Sequence, residues 1–92
     1  MSLVKICHQV RWRKVADEGV VLNQAAGEVL VLNTLGVRIL ELLEQEPDTD
    51  VITGVLLCEY NVDAPRLKAD IQHYLGELNA AGITVAESTG SV

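Results

Sequence analysis

Two hydrophobic periods divide the chain. Within "HQVRWR", Val10 and Trp12 alternate with Arg11 and Arg13, the two-residue period of a half-buried strand. "VADEG" then supplies a turn around Asp17-Glu18-Gly19, "VVLNQ" a second β-rich run, "AAGE" a tight turn and "VLVLN" a third strand. Connections this short predict an antiparallel meander, because parallel strands need a long crossover. At Asn33-Thr34 the period becomes helical, with Leu35, Ile39, Leu42 and Leu43 on one face. Either Asn33 or Thr34 suits the N-cap, where a side-chain oxygen accepts from a free N–H of the first turn.

This first helix is expected to reach about Glu44 and to stop before Pro47. "DTD" caps a second helix whose buried face is Val51, Ile52, Val55, Leu56 and Cys58, and which ends at Tyr60-Asn61. Asp63 caps a third, with Pro65 in the first turn, where a missing N–H does no harm. Leu67, Ile71, Tyr74, Leu75 and Leu78 give it an amphipathic stripe. Gly82 suits a left-handed C-cap with Ile83 folding back, and residues 86–92 read as a frayed tail. Three strands followed by three helices define an α+β class with a winged-helix-like arrangement, the three-stranded antiparallel sheet coming first.

Ninety-two residues, 49% of them apolar, are expected to form one domain with its core over about 10–85. The net charge of −6 is unevenly spread. Residues 1–38 carry five basic side chains against three acidic, and residues 39–92 two against ten. Such a dipole can orient a charged partner, although a solvated acidic surface explains it as simply. "MSLVKICHQV" lacks an apolar signal region, and no apolar run approaches the ~20 residues of a membrane span, so a cytoplasmic protein is expected. Cys7 and Cys58 then read as free thiols.

Catalytic chemistry finds no foothold in the pattern. His8 and His73 are the only histidines, and Cys7 and His8, as neighbours on an extended segment, point to opposite faces. His73 sits at the boundary of the third helix's apolar stripe. No zinc-type spacing, nucleophile–base set or phosphate loop occurs, so neither metal, cofactor nor enzymatic activity is expected. The carboxylates at 41, 44, 46, 48 and 50 read as a solvated helix end with capping duties. A winged helix also suggests a DNA-binding regulator. Against it, the third helix offers Arg66 and Lys68 beside Asp70 and Glu77, too little net charge to hold phosphates.

The ordered set "VVLN" (20–23), "VLVLNTLGVRILELL" (29–43), "VITGVLLCEYNVD" (51–63) and "LKADIQHYLGELNAAGI" (67–83) resembles the pyrroloquinoline quinone synthesis protein D (PqqD) family. The likeness rests on a strand ending in Leu-Asn, the Ile39, Leu42, Leu43 helix core, the Tyr60, Val62, Asp63 exit and the run from Asp70 to Leu78. Where family members often place Asp-Gly after the first helix, this chain has "EQEPDTD".

The resemblance implies a non-catalytic adaptor, a recognition element that holds the leader of a ribosomally made precursor peptide. Such an adaptor presents the leader to a maturase, often a radical S-adenosylmethionine enzyme. In that mode the peptide pairs with the third strand and lies against the third helix. One wall would be Val29, Leu30, Val31, Leu32 and Asn33, the other Arg66, Leu67, Asp70, Ile71 and Tyr74. Strand addition to an open sheet edge is physically sound, with main-chain bonds giving affinity and side-chain pockets selecting sequence. If Leu30 and Leu32 face the helices, Val29 and Val31 line the other side; four apolar residues allow the opposite parity. Leu67, Ile71 and Tyr74 can also be read as core, the reading preferred for Ile71, and Arg66 and Lys68 as solvated charges. A third class, a subunit that dimerises through the open edge, would leave the chain either monomeric or an edge-strand dimer.

Overall fold

The computed structural model describes residues 3–86. In chain order its elements are β1 (Val4–Ile6), β2 (Val10–Val15), β3 (Glu18–Asn23), β4 (Glu28–Leu32), α1 (Thr34–Leu43), α2 (Thr49–Glu59), α3 (Ala64–Ala80) and β5 (Thr84–Ala86). β2, β3 and β4 form the expected antiparallel meander in that spatial order. Its register places Trp12 opposite Val21 and Val21 opposite Leu30. One sheet face therefore carries Val10, Trp12, Val21 and Leu32 toward the helices. They pack on Val37, Ile39 and Leu40 of α1, Ile52 and Leu56 of α2, and Leu67, Ile71 and Leu78 of α3. Each fully buried Ile or Leu contributes roughly 1.5–3 kcal/mol.

The first turn lies at Ala16-Asp17, earlier than expected, and Ala16 takes a left-handed φ of +57° there. Glu18 and Gly19 already belong to β3, with Gly19 paired to both Lys14 and Leu32. Thr34 does not cap α1. Its hydroxyl donates to the Asp17 carbonyl at 3.1 Å, tying that turn to the helix start, while Asn33 provides the cap.

Several expectations require correction. β1 and β5 pair antiparallel, Val4 with Ala86 and Ile6 with Thr84, so Ala86 belongs to a strand and β1 is latched to the segment that follows α3. Residues 87–92 of the expected tail lie outside the described residues. Three-residue strands are too short to show a period, which hid both. On α2, Val51 and Cys58 are exposed, while Thr49 and Thr53 are buried with Ile52 and Leu56. The Thr53 hydroxyl donates to the Thr49 carbonyl at 2.8 Å, which lets a polar residue occupy the buried face. Asp63 stands at the N-cap of α3 but its side chain makes no capping bond. His73 is exposed and faces Glu77 at 3.0 Å.

The acidic segment does local work. The Glu46 carboxylate accepts from the Asp48 N–H, and Asp48 caps α2 by accepting from the Asp50 N–H. Arg38 of α1 donates through Nε to Glu59 of α2 at 2.8 Å, joining the two helices. Hydrogen bonding to Arg38 holds the Glu59 carboxyl below its usual range.

The end of α3 is fixed twice. Gly82 takes φ +76°, and the bonds Gly82 N–H to the Asn79 carbonyl and Ile83 N–H to the Leu78 carbonyl close the expected left-handed cap. Buried Asn23 then joins that cap to the β3–β4 turn. Its amide donates to the Ala81 carbonyl at 3.2 Å, while its oxygen accepts from the N–H groups of Ala25 and Ala26 at 3.1 and 3.3 Å. Replacing Asn23 with Ala is predicted to destabilise the fold by about 1–3 kcal/mol, since the Ala81 carbonyl and the Ala25 and Ala26 N–H groups all lose a partner. Its exposed neighbour Gln24→Ala should stay within about 0.5 kcal/mol. Urea denaturation of both variants checks the contrast.

Candidate functional site

β4 pairs with β3 on one side only; among the described residues no strand lies along its other edge. Asn33, just past the end of β4, meets Tyr74, whereas Asn23, opposite its first residue, meets Ala81. α3 therefore runs antiparallel to β4. Between them lies a cleft of about 390 Å³ with Leu30, Val31, Leu32 and Asn33 on the strand wall. Tyr74, Glu77, Leu78 and Ala81 form the helix wall, and Ile83 completes the lining.

The Tyr74–Asn33 contact closes one end of this cleft. The Tyr74 hydroxyl donates to the Asn33 side-chain oxygen at 3.0 Å and accepts from the Asn33 N–H at 3.4 Å. The same Asn33 oxygen accepts from the Gly36 N–H at 3.1 Å, which is the α1 cap. Burial raises the Tyr74 pKa above its ordinary value, so the phenol keeps its proton as a donor. Gly36 is where the helix touches the ring. A Cβ there would sit 2.7 Å from Tyr74 Cζ and 2.8 Å from Cε1, closer than any side chain can approach. The strand-to-helix corner without a loop thus serves to seat Tyr74.

A second cleft, about 480 Å³, opens at the other end of α3 between Leu35, Tyr60, Val62, Asp63, Arg66, Leu67 and Asp70. Arg66, Asp70, Tyr74, Glu77 and Ala81 follow one another at steps of four, four, three and four residues, a single stripe of α3. Both clefts lie along that stripe.

The strand parity is the first of the two expected. Leu32 is buried and Leu30, 38% exposed, faces the cleft, while Val29 and Val31 are 62% and 63% exposed. Leu30 to Asn33 and Tyr74 share the first cleft; Arg66, Leu67 and Asp70 line the second. Val29 lines neither. Ile71, expected on the helix wall, is fully buried in the core and reaches no groove surface. Asn33 is not a free pairing residue either, because its N–H already serves Tyr74. Glu77, Leu78, Ala81 and Ile83 were missed. The continuing stripe past Tyr74 was their signal, but only the antiparallel crossing shows that the strand faces the later turns of α3.

The donor set is poor in reactive chemistry. Among the described residues no three His, Cys, Asp or Glu side chains gather as a metal site would require, and no helix is long and apolar enough to cross a membrane. The cleft offers apolar walls, one carboxylate and an unpaired strand edge.

Residues 18–83 match the family model described as Coenzyme PQQ synthesis protein D (PqqD). The chain belongs to the PqqD family. The matched span runs from the first residue of β3 to Ile83, and so includes both walls of the cleft in this PqqD-family chain. No curated protein matches it in sequence. Two solved structures share its fold. TbiB1, solved in complex with the TbiA(beta) leader peptide, superposes with a TM-score of 0.83 at 28% identity, over 92% of this chain and 99% of that one. A lasso peptide synthetase B1 complexed with its leader peptide gives 0.74 at 19% identity, over 89% and 96%.

The seating of Tyr74 in this PqqD-family chain predicts a double-mutant cycle. Gly36→Ala should destabilise by about 1–3 kcal/mol through overpacking against the ring. In a Tyr74→Ala background the same change should become neutral, or stabilising by up to about 1 kcal/mol from helix propensity. Thermal and urea unfolding of the four proteins measure the coupling.

Proposed function

We propose that this chain is a non-catalytic recognition element for the leader of a ribosomally made precursor peptide. The leader adds as an antiparallel or parallel fourth strand on the free edge of β4 and packs side chains into the cleft against α3. A peptide-modifying enzyme then receives the held precursor. The observation that carries this reading is the open β4 edge beside an apolar cleft. Membership of the PqqD family supports it, as do the two neighbours whose structures hold leader peptides.

Each part has a physical role. Leu30 and Leu32 form the apolar floor beneath the added strand, and β4 supplies backbone donors and acceptors. Tyr74 and Asn33 hold the strand end at a fixed distance from α3, so the cleft is formed before the peptide arrives, which lowers the ordering cost of binding. Past that junction, Arg66 and Asp70 offer opposite charges to a leader long enough to reach the second cleft. The enzyme class belongs to the pathway rather than to these residues. A radical S-adenosylmethionine maturase is the partner the family resemblance implies, whereas one neighbour is a lasso peptide synthetase B1.

The test is calorimetry with the leader segment of the cognate precursor peptide. One site per chain is expected. Val31→Pro, which removes an N–H from the edge strand, and Leu30→Asp, which places a charge in the cleft, should each weaken binding at least about tenfold. Circular dichroism must first show both variants folded. Unchanged affinity in both folded variants would remove β4 as the binding edge.

A further inference from the structure

The sheet face turned away from the helices is apolar where it should be polar. An antiparallel sheet with one packed face normally presents polar side chains on the other. Here the register builds two outward rows, Arg11–Leu22–Val29 and Arg13–Val20–Val31, each running from β2 across β3 to β4. Leu22 is 36% exposed and the two valines of β4 nearly twice that. Arg11, Trp12, Arg13, Val20 and Leu22 line a shallow depression of about 230 Å³. Contiguous exposed apolar surface of this kind marks an interaction site.

Its charge narrows the partner. In a chain of net charge −6, this face presents two arginines against the single rim carboxylate of Glu18, which lies opposite Val15. A second copy docking here by two-fold symmetry would bring four arginines together, a like-charge arrangement that disfavours self-association. Its position narrows the partner further. Both rows end on β4, so a peptide strand added there would extend each row with a side chain of its own. The face is therefore continuous with the proposed peptide site and changes when that site is filled.

We propose that this outer face is the docking surface for the enzyme that modifies the bound peptide, and that it receives an apolar patch of that enzyme flanked by carboxylates. The proposal rests on the peptide-binding reading and shares Val31 with it, but its test uses other residues. Arg11, Arg13 and Leu22 lie outside the cleft, so variants there separate the two. The probes are the fluorescently labelled leader and the purified cognate modifying enzyme. The full-length chain is compared with Arg11→Glu/Arg13→Glu and with Leu22→Ser, each checked for fold by circular dichroism.

Both variants should bind the leader within about twofold of the unaltered chain yet bind the enzyme at least about tenfold more weakly. Arg11→Lys/Arg13→Lys should keep most of the enzyme affinity. Three results would overturn the proposal: enzyme affinity unchanged in both variants, an unaltered chain that binds leader but no enzyme with or without it, or a chain dimer that the Leu22 variant dissolves. Loss of leader binding in the unaltered chain, with enzyme binding intact and sensitive to the variants, would overturn the peptide reading and leave this face standing.

Discussion

The Tyr74 hydroxyl and the Asn33 side chain form the contact on which the geometry of the cleft depends. Asn33 ends β4, caps α1 through Gly36 and donates its own N–H to the phenol, so one residue joins the sheet, the first helix and the third. The ring fits because Gly36 has no side chain. At the opposite end of β4, Asn23 binds the α3 cap through the Ala81 carbonyl. Two asparagines thus fix the two ends of the cleft, and the apolar core beneath sets its depth.

With its walls held apart, the cleft cannot collapse to bury Leu30, and the β4 edge keeps backbone groups that no neighbouring strand satisfies among the described residues. An exposed strand edge is an association hazard in most proteins. In the proposed function it is the feature selected for, and an extended leader satisfies both the edge and the cleft at once. The outer face of the same sheet lies next to that edge, so peptide and enzyme would meet on neighbouring surfaces with Val31 at their boundary.

Much of this was legible in the chain. The meander followed from turn residues and alternation, the three helices from their caps and stripes, and the wall residues Leu30, Leu32 and Tyr74 from the family resemblance. What escaped had physical causes. β1 and β5 are too short to carry a period and pair across nearly the whole chain. Thr49 and Thr53 are buried through a local hydroxyl bond, which hydropathy does not register. Ile71 and Tyr74 are three residues apart on the same stripe, yet one is core and the other closes the cleft. Only the crossing of α3 over β4 separates them. The same crossing places Glu77 and Ala81 opposite the strand, and the stripe past Tyr74 alone does not show which strand it faces.

The central claim is that the leader becomes a strand on β4. Amide hydrogen exchange of the chain, with and without a saturating amount of its leader, reads this directly, because newly bonded backbone N–H groups exchange more slowly. The account predicts added protection at alternate residues of Glu28–Leu32 and along the cleft-facing turns of α3, with β2 unchanged. Protection confined to α2 or to the acidic residues between 44 and 50, with β4 exchanging as before, would contradict it.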